Sequence, residues 1–290
     1  MKPLIEQLIA GGPVVTDGAW GTQFQVLGLT PGELADTWNV SCPGLVEDVA
    51  RSYVDAGSRV ILTNTFRSNR ITLEAHGLAA QTAELNLAGV RISQTAADGG
   101  AFVFASMGPS GKLLMSGEVT EKQLAGAFEE QAQALAAGRP DAIVIETMSD
   151  LAEAVIAVRA AAATGLPVVA CMVFDTGRNR DRTMMGNTPE QIARELVEAG
   201  ADVIGSNCGQ GIEGYVPVCR RLKEATDRPI WIKANAGLPE LAGGKTVYTT
   251  TPADFASHVP ALIEAGASFI GGCCGTTPEF IRAVCQAVRA

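Results

Sequence analysis

Three of the seven cysteines in this chain fall in two short glycine-flanked elements, SNCG at Ser206–Gly209 and GGCCG at Gly271–Gly275. Each element closes an apolar run, so Cys208, Cys273 and Cys274 share one rim if the two runs are near neighbours in a barrel. Three soft donors at one place suit a thiophilic metal. Zinc takes tetrahedral sulfur and nitrogen ligands, and catalytic zinc sites keep one position open for water or substrate. A fourth thiol entering that position would be held as thiolate, whereas a free thiol of pKa ~8.5 is mostly protonated at neutral pH. Attack by that thiolate on a methyl group is the chemistry on offer. The same spacing also fits three small core residues, because cysteine is often buried for packing alone.

Other polar residues end apolar runs as well. Glu146 follows Ala142–Ile145, where a carboxylate must be paired; a substrate ammonium and a barrel arginine both meet that need. The turn DGAWGT at Asp17–Thr22 is either a plain tight turn or a cradle whose backbone N–H groups hold a carboxylate, with Asp17, Gly18 and Ala19 as its first members. Asn235 ends the run that begins at Ile230. Cys171 lies inside a strand, and Cys219 and Cys285 lie in helical patterns, so these three read as packing residues; Cys42, before Pro43 in a loop, is undecided. His76 and His258 fall in helix-like stretches away from any strand end.

Positioning these residues takes a repeated unit. Eight apolar runs recur, at Val14–Asp17, Val60–Thr65, Phe102–Met107, Ala142–Thr147, Val168–Phe174, Val203–Cys208, Ile230–Asn235 and Phe269–Cys274, each followed by a helical pattern. Helix starts are marked by capping boxes at Thr120/Gln123 and Thr188/Gln191, and by Pro189, Pro252 and Pro278, each directly after a threonine. Continuously apolar strands in strict alternation with helices predict an α/β fold, a single (β/α)8 TIM barrel spanning residues 1–290. The G-x-G-x-x-G turn of a doubly wound sheet is absent after the first run. The polar stretch Asp175–Thr188 reads as a loop after the fifth strand, where a substrate-covering lid would be placed.

Composition agrees with this. With 290 residues, 47% hydrophobic and 18% charged, the chain can bury a large core. A net charge of −9 with no basic cluster argues against nucleic acid as a partner. No signal-like or membrane-spanning apolar stretch is present in the sequence, and an odd cysteine count argues against a disulfide framework; a cytoplasmic protein is expected.

At these residues the sequence resembles the homocysteine S-methyltransferase family, which includes the N-terminal barrel of cobalamin-dependent methionine synthase and betaine homocysteine methyltransferases. The motifs that carry the resemblance are DGAWGT, ILTNTF at Ile61–Phe66, SMGPSG at Ser106–Gly111, IETMSD at Ile145–Asp150, SNCG, KANAG at Lys233–Gly237 and GGCCGTTPE at Gly271–Glu279. The resemblance implies zinc on Cys208, Cys273 and Cys274, with Asn235 in or beside the fourth position. It also implies homocysteine as acceptor, its ammonium on Glu146 and its carboxylate on backbone groups from Asp17 to Gly21.

Two donors follow from two branches of the resemblance. The closing half looks like the methionine synthase barrel, which implies a methyl-corrinoid carried by a separate protein, since the sequence stops soon after the GGCC helix. The loop FDTGRNRDRTMMG with IETMS looks like short bacterial betaine enzymes, which implies a small onium donor with Trp38 as one wall of an aromatic cage. Arg67 and Met148, where the vertebrate betaine enzymes carry aromatics, speak against the cage. A different thiol or selenol acceptor, and a non-catalytic barrel that docks on a corrinoid protein, are the further alternatives. Purified protein should carry about one zinc per chain, and Cys208→Ala, Cys273→Ala and Cys274→Ala should each lower it and abolish turnover. Metal analysis of the three variants checks this, and full zinc in any one of them removes that residue from the site.

Overall fold

In the computed structural model, which describes residues 1–242 and 245–289, the eight apolar runs pair side by side as parallel strands. They are β1 (Val14–Val15), β2 (Val60–Ile61), β3 (Phe102–Met107), β4 (Ala142–Met148), β5 (Val168–Met172), β6 (Val203–Gly211), β7 (Ile230–Asn235) and β8 (Ala267–Gly272). The sheet runs in cyclic order from β1 through β8, β7, β6, β5, β4 and β3 to β2. A parallel bridge between Thr16 and Val60, with Arg59 N–H donating to Val15 O at 2.8 Å, brings the two edges together. This is the expected TIM barrel, with helices packed around it. No described helix is long and apolar enough to cross a membrane.

Period-two alternation sorts each strand between two cores. Val14, Val60, Leu62, Phe104, Val144, Val169, Cys171, Val203, Trp231 and Phe269 fill the barrel interior, while Val15, Ile61, Ala105, Ile145, Ala170, Ile204 and Ile232 pack under the helices. Inside, Trp231 stacks on Phe104 and lies tilted against Phe269, at centroid distances of 6.0 and 5.1 Å. The N-terminal helix Pro3–Ile9 presses fully buried Ile5 and Leu8 into the same interior cluster, and so plugs the bottom of the barrel.

The helix signals hold: both capping boxes form, and Pro189, Pro252 and Pro278 each begin a helix. Strand ends differ from expectation for identifiable reasons. β1 and β2 stop early because the Leu62 N–H leaves the ladder to donate to the Asp17 carboxylate at 2.8 Å. β6 runs beyond Cys208 to Gly211 through an irregularity between Asn207 and Gly211. β8 gives way after Gly272 to a turn in which Thr276 N–H donates to Cys273 O. After β7 the sequence reading missed a two-stranded antiparallel ribbon, Glu240–Ala242 with Lys245–Val247.

Trp231→Ala should cost about 3–5 kcal/mol of unfolding free energy, since it leaves a cavity that the ring of strands cannot collapse to fill. Denaturant titration measures it; a loss below about 1 kcal/mol, the range of conservative swaps, would mean that the interior is not close-packed around this ring.

Candidate metal centre and acceptor site

Two residues beyond the apolar layer, the same alternation delivers a polar one. Ser106 follows Phe104, Glu146 follows Val144, Lys233 follows Trp231 and Asn207 follows Gly205, each on the inward face of its strand, and Cys273 lies directly past the end of β8. These side chains meet. Ser106 Oγ donates to Glu146 Oε1 at 2.5 Å, and Asn207 Nδ2 donates to Glu146 Oε2 at 3.3 Å and to Thr147 Oγ1 at 2.7 Å. Asn207 Nδ2 also lies 3.8 Å from Cys273 Sγ, so one amide touches both the carboxylate and a cysteine. Burial pushes the Glu146 carboxyl above its ordinary value, against the opposing pull of Lys233 and the Ser106 hydrogen bond.

Asp17 anchors the layer beneath. Its Oδ1 pairs with Lys233 Nζ at 2.5 Å, and its Oδ2 accepts from Trp20 Nε1 at 2.7 Å and from Leu62 N–H. Both partners of the ion pair are almost wholly buried. Burial would pull the Lys233 ammonium down, but the charges of Asp17 and Glu146 outweigh it and hold it above its ordinary value.

The DGAWG turn is stitched to the GGCCGTT turn. Ala19 N–H donates to Thr276 Oγ1 at 3.1 Å, and Tyr53 Oη donates to Ala19 O at 2.5 Å. Gly18 is required there, because a Cβ would stand 2.7 Å from the Tyr53 ring and 2.9 Å from Thr276 Oγ1. Asp17 and Ala19 thus spend their carboxylate and amide within the protein.

The three sulfurs converge. Cys208 Sγ and Cys274 Sγ are 3.9 Å apart, and all three Sγ atoms lie within 4.8 Å of one another. Tetrahedral zinc with Zn–S near 2.3 Å would set its sulfurs ~3.8 Å apart. β7 runs between β6 and β8, and Asn235 at its end is buried, its Oδ1 without a hydrogen-bond partner. A buried acceptor without a donor, beside three thiols, is what a cation would satisfy. Hydrogen bonds from Cys273 and Cys274 hold the Cys208 thiol far below the cysteine range, while the hydrogen bond with Cys208, aided by burial, pushes Cys273 and Cys274 up.

Two non-glycine residues here adopt the left-handed region, Thr147 with φ +61° and Cys208 with φ +63°. Such residues cost about 1–3 kcal/mol each, and persist only where surrounding bonds hold them. Thr147 is gripped by Asn207, whose Oδ1 accepts its N–H at 2.7 Å.

Other expected residues sit elsewhere. Trp38 is 6% exposed, donates its indole N–H to Glu33 Oε1 at 2.7 Å and packs edge-on against Phe24, 5.5 Å away, so it presents little open face. Met148 is buried in the outer core. Cys171 lies in the barrel interior, Cys219 and Cys285 are buried under helices, and Cys42 directly precedes the helix Pro43–Asp55, apart from the trio. His76 lies in the turn after the helix Arg70–Glu74, and His258 joins two short helices. The loop Asp175–Thr188 is pinned: Thr176 pairs with Arg182, Gln210 Nε2 donates to Arg180 O, and Arg221 bridges Asp181 and Glu190. Sequence reasoning missed Lys233, although a lysine inside IWIKAN is a signal, since a charge in an apolar strand demands a partner. Tyr53 and Tyr215 left no signal at all, because in sequence they are ordinary apolar-face helix residues.

The likeness to known proteins extends over nearly the whole chain. The methionine synthase of Mycobacterium tuberculosis is 33% identical over 295 residues, covering 95% of this chain and 24% of that protein. The methionine synthase of Mycobacterium leprae is 30% identical, covering 97% and 25%. The chain therefore spans about a quarter of the length of these relatives. Among solved structures, the metallated form of the homocysteine methyltransferase MmuM from Escherichia coli has the same fold, with a TM-score of 0.80 at 21% identity over 96% of both chains. Residues 14–288 match the family model for homocysteine S-methyltransferase, and the chain belongs to that family.

Proposed function

We propose that this protein transfers a methyl group to the thiol of homocysteine to give methionine, with zinc on Cys208, Cys273 and Cys274. The observation that carries the reading is the close set of three sulfurs joined through Asn207 to a half-buried carboxylate, Glu146. Asn235, with its unpartnered Oδ1, would occupy or border the fourth position until the acceptor sulfur takes it. When bound, zinc would keep the acceptor sulfur ionised at neutral pH.

The chain's own groups do the rest. Glu146, steadied by Ser106 and Asn207, takes the substrate ammonium, which adds a counter-charge to that of Lys233. The turn at Asp17, Gly18 and Ala19 faces the substrate carboxylate with backbone N–H groups; since the Ala19 amide is taken by Thr276, the amides beside it carry this contact. Held at both ends, the acceptor points its sulfur at the cysteines. The thiol proton leaves to solvent on binding, and the sulfur then attacks in line, forming S–CH3 as the donor–CH3 bond breaks.

For the donor, the surface favours methyl delivered on a separate corrinoid protein. Among the described residues, every exposed large hydrophobic except Met1 lies in a connection that follows a barrel strand: Val26, Leu27 and Val40 after β1, Met115 after β3, Met184 and Met185 after β5, Leu238 and Leu241 after β7. An apolar rim around an active-site mouth is how a docking surface is built. A small onium donor such as betaine is the second reading, kept by the loop and IETMS motifs. A cytoplasmic place, and a single domain over residues 1–290, belong to the same proposal.

Pure zinc-loaded protein, given homocysteine with betaine, S-methylmethionine, dimethylsulfoniopropionate, methyltetrahydrofolate or methylcobalamin in parallel, should form methionine fastest from methylcobalamin. Turnover with betaine alone would replace the corrinoid reading, and no turnover with any donor would sink both. Homocysteine binding should release about one proton at neutral pH, counted by calorimetry in buffers of different ionisation enthalpy.

Glu146→Gln should weaken homocysteine binding by a few kcal/mol, at about the level of a lost charged hydrogen bond, with zinc content unchanged. Without ligand the sign reverses. A carboxyl whose folded pKa is raised stabilises the fold at low pH, and that contribution is lost as pH rises through the folded value. The variant should therefore gain stability relative to wild type as pH increases through that range. Denaturation curves across pH test this, and a constant difference between the two proteins would remove burial as the cause.

A further inference from the structure

Alternation along β6 places Val203 in the barrel interior and, two and four residues on, Gly205 and Asn207; it therefore turns Cys208 outward, toward the helices. Cys208 Sγ nevertheless comes within 3.9 Å of Cys274 Sγ. The reversal is made in the backbone: Cys208 has φ +63° and Gly209 follows at +68°, two successive left-handed residues that swing the sulfur inward. Glycine adopts this geometry freely, and a Cβ at Gly209 would also stand 2.8 Å from Val173 Cγ1. Cys208 has no such freedom and must be held.

The hold comes from the next element. The helix Ile212–Ala225 starts directly after β6 and carries Tyr215, fully buried in the outer core. A buried phenol must find an acceptor. Tyr215 Oη finds the carbonyl of Cys208 itself, at 2.5 Å. This one bond joins an apolar helix face to the peptide whose torsion aims a sulfur.

We propose that Tyr215 is a positioning residue for the metal centre: by fixing the Cys208 carbonyl it keeps the left-handed turn, and with it the three sulfurs close enough to share one ion. The inference rests on reading the three cysteines as zinc ligands. Tyr215→Phe removes a single oxygen and keeps the ring in its packing. Zinc affinity, measured by competition with a chromophoric chelator, should fall roughly 10- to 100-fold, the usual effect of losing a group that orients a ligand. Cobalt(II) bound in place of zinc should show a shifted and weaker visible spectrum. Saturating zinc should restore turnover, with the Michaelis constant for homocysteine unchanged. Thr82→Val is the control: it removes a buried hydroxyl that bonds Ala79 O at the start of the helix Thr82–Ala97, and should leave zinc affinity as in wild type. Wild-type affinity and spectrum in Tyr215→Phe would overturn the proposal, as would an equal loss in both variants. If the wild type itself bound no zinc, the metal reading would fall first, and this inference with it.

Discussion

A carboxylate sealed inside an apolar barrel has to be answered by charge and hydrogen bonds, and the way Asp17 is answered organises the mouth of this one. Its oxygens draw in Lys233 from β7, Trp20 from the following turn and the backbone N–H of Leu62 beyond β2. Three segments distant in sequence are thereby drawn to one point. Such pairs add little net stability compared with a well-packed apolar equivalent, whereas removing one partner is costly. The value of this pair lies in position and charge. It ends two strands where the polar layer begins, and sets a cation beside the Glu146 carboxylate and the cysteines.

The polar layer follows from a rule as simple as the core. Each inward residue at this height is two positions past an apolar one, so Ser106, Glu146, Asn207 and Lys233 face one another without special backbone geometry. Departures from the rule occur at Thr147 and Cys208, both left-handed, beside the Glu146 carboxylate and at the cysteine cluster respectively. Strain gathered at a site and braced by its neighbours is how folds reconcile regular strands with irregular chemistry.

This division also explains what could be read beforehand. Strand count, barrel closure, helix caps and the meeting of Cys208 with Cys273 and Cys274 were legible, because alternation, capping and strand neighbourhood are local or topological properties. Strand ends were legible only to within a few residues, since the Asp17 side chain takes over a ladder donor, and side-chain bonds between distant residues leave no periodic trace. Trp38 shows the same limit. Its type suggested a cage wall, while its hydrogen bond to Glu33 and its contact with Phe24 depend on a fold that the local motif does not specify. Tyr215 was invisible for the opposite reason, because its helical spacing fits a core residue perfectly well and its hydroxyl partner lies in another element.

The plug made by Ile5 and Leu8 turns the barrel into a cup with a single opening. On the proposed reaction both reactants would pass the same rim, and the one bound deeper could not come or go while the other stood above it. With the sulfurs and Glu146 in the polar layer and the apolar residues on the surrounding loops, such traffic would be first in, last out. On the proposed reaction the acceptor would load before the donor, and the spent donor would depart before methionine.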